Sequence, residues 1–255
     1  MLVFIGLGLG MDGISLRGLE KARESNVVYA ELYTSLIPDL ELKQLERKIG
    51  KSIKIIGRDV IEENPEKILE QSKKKSTAFL VPGDPMVATT HIDLRLRAAK
   101  AGIETRVIHA ASIFSAAAGL IGLQSYKFGP SATIPFPDNL STRPYEILAE
   151  NVKRGLHTLL LLDIRDGRAM TSKEAIAIML RLEKRLSKKV FTPDTLLAVV
   201  ARAGSDDAVV RSDRIEKLQG RDFDLPNILV VPGKLHFIEA EALRIFAGAP
   251  EETVS

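Results

Sequence analysis

Gly8, Gly10 and Gly13 spell G-x-G-x-x-G directly after the apolar run LVFIG. That spacing suits a strand-to-helix turn whose backbone a ligand can approach closely. Glu31, at the end of a second apolar run, stands about where a dinucleotide-binding fold places its ribose-binding acid. Other loops carry chemistry too. In Gly83-Asp84-Pro85 the glycine permits a sharp turn, and Pro85 fixes the chain so that it can open a helix. Asp84 then either accepts hydrogen bonds from ligand hydroxyls or an amine, or caps the helix behind it. Ser112, after His109-Ala-Ala, is a natural helix cap, and the small residues behind it would let a flat ligand lie close. Tyr33, Thr34 and Ser35 place three hydroxyls together, which reads as a polar, substrate-facing pocket or as a capped loop.

Other chemistries find no support in the chain. There is no cysteine, which removes disulfides, thiolate catalysis and Cys-based zinc sites and fits a reducing compartment, the cytoplasm. His91, His109, His157 and His236 show no metal-ligand spacing, so no metal is expected and each reads as a structural hydrogen-bonder. No G-x-S-x-G elbow and no Walker lysine motif occurs. The net charge of +3 on 255 residues does not call for nucleic acid or membrane binding. No apolar run approaches the roughly 20 residues a membrane span needs.

The elements that must position these residues alternate between buried strands and amphipathic helices. Strands are predicted at 2–6, 26–31, 52–56, 77–81 and 104–109, and helices at 16–24, 38–50, 65–75 and 91–101. This order implies a mostly parallel sheet covered on both faces. Beyond it come a small apolar helix at 112–122, strands at 131–137 and 157–164, and a long helix at 172–186. Strands at 194–204 and 227–233 and a helix at 237–246 complete the chain, with a polar loop at 138–144. A boundary near Ala111 divides the chain into domains 1–111 and 112–255; one continuous sheet is the alternative. FLVPGDP and LVVPGKL echo each other as strand-to-helix turns. In open α/β sheets ligands bind beyond the carboxyl ends of the strands, which is where the loops above fall.

Taken in order, GLGLG, AELYTS, VPGDPMVATTH, VIHAASIFSAAAGLIGLQSYKFG, ARAGS and VPGKLHFIEAEAL resemble the diphthine synthase family of the tetrapyrrole methylase superfamily, over nearly the whole chain. The first loop lacks the proline of the superfamily's usual G-x-G-P-G-D. The resemblance implies two α/β domains, the N-terminal sheet mostly parallel and the C-terminal one mixed, with S-adenosylmethionine in the cleft between them. It implies a homodimer that methylates a 3-amino-3-carboxypropyl-histidine of translation elongation factor 2 three times on its amino nitrogen. Carried over by position, cofactor contacts fall on Leu9, Asp84, Val87, Ser112, Ile113, Leu162, Ala203 and Asn227; no catalytic base is assigned. Another methylase of this fold, acting on a corrin precursor or ribosomal RNA, is the alternative, and a nicotinamide oxidoreductase is the reading of the opening glycines alone.

Overall fold

In the computed structural model, which describes residues 1–138, 141–165 and 167–254, the chain forms two compact units, Met1–Ile113 and Phe114–Ser255. The first is built on strands β1 (Leu2–Gly6), β2 (Val27–Ala30), β3 (Ile53–Ile55), β4 (Thr77–Val81) and β5 (Thr105–Ile108). They lie in the order β3-β2-β4-β1-β5, every pairing parallel. β1 and β4 are fully buried, so both read as near-continuous apolar runs rather than alternating ones. Side chains still alternate between faces. Leu2, Phe4, Tyr29 and Phe79 pack on one side, Val3, Ile5, Val28 and Leu80 on the other. Phe4 meets Phe79 edge to face at 5.8 Å. Burial of a side chain as large as Phe79 contributes about 1.5–3 kcal/mol.

The second unit holds β6 (Ala132–Ile134), β7 (Thr158–Leu162), the short hairpin β8 (Ile164–Arg165) and β9 (Arg168–Ala169), then β10 (Leu196–Ala201), β11 (Val209–Arg214) and β12 (Asn227–Val231). The main sheet runs β11-β10-β12-β7-β6, antiparallel except for the parallel β6–β7 pair. One face packs on helix Ser172–Leu186 through Ala175, Ile176 and Met179. A capping box between Thr171 and Glu174 starts that helix, satisfying donors at its first turn.

The structure departs from the sequence reading in several places. Helix Arg143–Lys153 was not expected. The polar loop predicted at 138–144 includes 139 and 140, outside the described residues, and its last two residues open that helix. Strand β11 escaped because VVRSDR is an edge strand whose two valines are exposed or half-buried. Helix Arg58–Glu62 is a short turn without a periodic pattern. The helix expected from 38 begins at Leu42, because Asp39 takes a φ of 56° that no α-helix accommodates.

Candidate functional site

At the carboxyl edge of the parallel sheet the loops after β1, β4 and β5 interlock. Gly8 donates its N–H to the Gly83 carbonyl at 3.1 Å, and Gly83 returns one to Gly8 at 2.9 Å. A side chain on Gly6 would lie 2.6 Å from the Gly83 oxygen and 2.7 Å from the Ala110 Cβ. Gly8 has φ +72°, and a Cβ there would sit 2.6 Å from the Gly13 carbonyl oxygen. The glycines are therefore needed for close packing of backbone on backbone.

Asp84, 6% exposed, joins the same loops. Its Oδ1 accepts from the Met86 N–H at 3.0 Å, while Oδ2 lies 2.8 Å from His109 Nδ1 and accepts from the Ala110 N–H at 3.3 Å. It does not cap a helix: the next begins at His91. Its side chain ties the β4 loop to the β5 loop, a pairing that 25 residues of separation hid from the sequence. Around this knot lie Leu9 and Val87, both half-buried, and Ser112 and Ile113 at the start of helix Ile113–Ile121.

The loops after β2 and β3 form a second cluster. Glu31 is fully buried and accepts from the N–H groups of Tyr33 and Thr34, both at 3.0 Å, and from the Thr34 hydroxyl. It is spent inside the loop, which leaves it no ribose role. Burial raises its pKa above the usual carboxylate range. His91, also fully buried, has its Nε2 3.7 Å from Glu31, beyond hydrogen-bond reach, and burial pushes its pKa down to about 4. The three expected hydroxyls go separate ways. Thr34 is bound to Glu31, Ser35 donates to the Leu36 carbonyl at 3.3 Å, and the Tyr33 oxygen is buried without a hydrogen-bond partner. Arg58 stacks on the Tyr33 ring, 5.1 Å from its centre.

In the second unit Leu162, Ala203 and Asn227 gather at one sheet edge. Ala201 at the end of β10 pairs with Asn227 at the start of β12, and Leu162 closes β7 beside Ile134. Asn227 Nδ2 donates weakly to the Phe223 and Asp224 carbonyls, at 3.3 and 3.4 Å, while its Oδ1 is buried with no partner. A buried acceptor left unpaired costs about 1–3 kcal/mol, which a ligand amine or hydroxyl would recover.

Glu239, fully buried on helix Phe237–Ala247, locks the remaining motif residues together. Its Oε1 accepts from the Gln124 N–H and faces His157 Nε2, both at 2.9 Å; its Oε2 takes the Lys127 ammonium and, at 2.8 Å, the His236 N–H. His157 Nδ1 accepts from the Gly233 N–H at 2.9 Å, which fixes the proton on Nε2. Despite burial, these donors hold the Glu239 pKa down at about 2, and burial lowers that of His157. LQSYKFG and PGKLHFIE thus form one knot, although some 110 residues separate them.

Comparison with known proteins gives a consistent assignment. The family described as tetrapyrrole (corrin/porphyrin) methylases matches residues 1–219. The chain belongs to the tetrapyrrole methylase family. As a member it is a methyltransferase, and the relatives it resembles include diphthine synthases. That of Methanosarcina acetivorans is 48% identical, with 98% of this chain and 97% of the relative covered; that of Methanocella arvoryzae is 50% identical, with 97% and 98% covered. A crystal structure of diphthine synthase superposes with a TM-score of 0.92 at 41% identity, covering 99% of this chain and 98% of that one. Within this methylase, the sequence reading overlooked Arg58, the burial of His91 and the Glu239 knot. The only prior signal for the knot was the pair of motif stretches that carried the resemblance. The residues at both sheet edges fit a methyl donor bearing adenosine and amino-acid groups. Leu9, Val87, Ile113, Leu162 and Ala203 are apolar or small, and the orphaned Asn227 oxygen calls for a donor such as an amine.

Proposed function

We propose that this methylase transfers three methyl groups from S-adenosylmethionine to the amino nitrogen of a 3-amino-3-carboxypropyl-histidine on translation elongation factor 2, giving diphthine. The observation that carries this reading is the nearly full-length match to diphthine synthases. The interlocking of the most specific motif stretches around Asp84 and Glu239 supports it.

When bound, S-adenosylmethionine supplies a methyl on a positively charged sulfur, a group already activated for displacement. The chain's own share is to bind and align. Leu9, Asp84, Val87, Ser112 and Ile113 of the first unit and Leu162, Ala203 and Asn227 of the second are the residues that would contact the donor. Asp84 acts by fixing loops whose backbone faces the ligand. Alignment alone can supply on the order of 7–11 kcal/mol. The neutral amine is the nucleophile, so each of the three additions releases one proton, and no base of the chain is assigned to take it. Tyr33, Thr34 and Ser35 belong to the substrate side of the pocket. The working protein is a cytoplasmic homodimer without a metal, bound to neither nucleic acid nor membrane. Phe237, Ile238, Ile245 and Phe246, exposed along one helix, supply an apolar face for the second copy.

Mass spectrometry tests this reading. Elongation factor 2 carrying the precursor, incubated with the protein and S-adenosylmethionine, gains mass in methyl steps ending at three. No gain on that substrate, with methylation of a corrinoid or ribosomal RNA instead, overturns it.

A further inference from the structure

The residues assigned to the methyl donor in the first unit come from the loops after β1, β4 and β5. The sheet order β3-β2-β4-β1-β5 leaves the loops after β2 and β3 to one side of them, at the same carboxyl edge. On that side stands a cation that, among the described residues, has only a long ion pair. Arg58 follows β3, its side chain is 59% exposed, and its ion pair with Glu62 spans 4.0 Å, the outer limit of such contacts. Glu62 is itself taken by the Thr90 hydroxyl at 2.9 Å. The guanidinium rests on the Tyr33 ring at 5.1 Å. That ring does not drift: the Tyr33 N–H is held by the buried Glu31 carboxylate, and the phenol oxygen is buried. The arrangement is a planar, permanently charged fork laid on a fixed aromatic face.

We propose that Arg58, seated on Tyr33, binds the carboxylate of the 3-amino-3-carboxypropyl side chain of the substrate. This rests on the function proposed above. A guanidinium matches a carboxylate through two parallel N–H···O bonds, and the pairing is both strong and directional. The chemistry of the reaction also asks for such a handle. The substrate nitrogen changes at each turnover, from a primary amine to a quaternary ammonium that can neither donate nor accept a hydrogen bond. The carboxylate keeps its charge and shape through all three additions. A grip on the carboxylate therefore serves each intermediate equally, whereas a grip on the amine would weaken with each methyl. The same grip distinguishes the modified histidine from a plain one, which lacks the carboxylate.

The test compares wild type, R58A and R58K in binding elongation factor 2 in two forms, one carrying the 3-amino-3-carboxypropyl group and one with unmodified histidine. Wild type should prefer the modified form. R58A should lose that preference, by about ten- to a hundredfold, the range for charge-assisted hydrogen bonds. Its binding to the unmodified form and to S-adenosylhomocysteine should not change. R58K, which keeps the charge but not the fork, should recover part. The proposal is overturned if R58A keeps the preference, if it weakens both forms alike, or if wild type shows no preference. Failure of the wild type to methylate the modified factor is read separately by mass and overturns the underlying function instead.

Discussion

Replacing Glu239 by glutamine removes one charge and tests whether the buried knot holds the second unit together. Each carboxylate oxygen meets two donors: Oε1 meets Gln124 N and His157 Nε2, and Oε2 meets Lys127 Nζ and His236 N. Whichever way the amide of glutamine turns, its NH2 faces two N–H groups. His157 cannot relieve the clash by moving its proton, because its other nitrogen already accepts from Gly233. The pKa of Glu239 falls from 4.5 to about 2 on folding. At about 1.36 kcal/mol per unit, that is roughly 3 kcal/mol of stability at pH 7. The folded-state pKa is depressed, so this stability is complete above the unfolded value of 4.5 and is lost as pH falls towards 2. Denaturant unfolding of wild type and E239Q should therefore differ by about 3 kcal/mol at pH 7 and by only about 1–1.5 kcal/mol at pH 3. A gap below about 1 kcal/mol at pH 7, or one equally wide at both pH values, refutes the reasoning.

Asp84→Ala frees the β4 loop from the β5 loop, and calorimetry should show affinity for S-adenosylhomocysteine falling about tenfold or more while the melting temperature shifts by only a few degrees. Gly8→Ala sets a Cβ against the Gly13 carbonyl at φ +72°; thermal unfolding should show a loss of more than about 1 kcal/mol, with weakened donor binding. His91 titrates near 4 in the fold and near 6.5 when unfolded, so the native state binds fewer protons between those values. Stability should fall by up to about 3 kcal/mol as pH drops across that window, and His91→Phe, which preserves an aromatic edge against Phe79, should flatten the slope in urea titrations.

Buried strands were the most legible part of the chain. LVFIG and, after Thr77, AFLV are apolar because helices cover both sheet faces, and that pattern survives without knowledge of their partners. β11 was hidden because its partners lie on one side only, which leaves Arg211 and Arg214 in the run. Helix Arg143–Lys153 was masked by Thr142 and Pro144, residues that look like loop and in fact start a helix. At the site, residue types announced polar loops but not their wiring. Asp84 could be read as a ligand or a cap, and only the fold brings His109 to it. Glu31 fitted a nucleotide fingerprint by spacing, and only its burial removed it from that role. A cation such as Arg58 is indistinguishable in sequence from any solvated charge until an aromatic ring is found beneath it.

The position of β1 between β4 and β5 has a consequence for the nascent chain. β1 has no neighbour until Val81 is made, and its second flank arrives only with Ile108. At about 5–20 residues per second, β1 waits roughly 4–15 s for its first neighbour and roughly 5–20 s for its second. The reciprocal Gly8–Gly83 bonds cannot form earlier. The carboxyl edge of this unit is thus among its last parts to exist, and the growing chain carries an unpaired apolar strand during that interval.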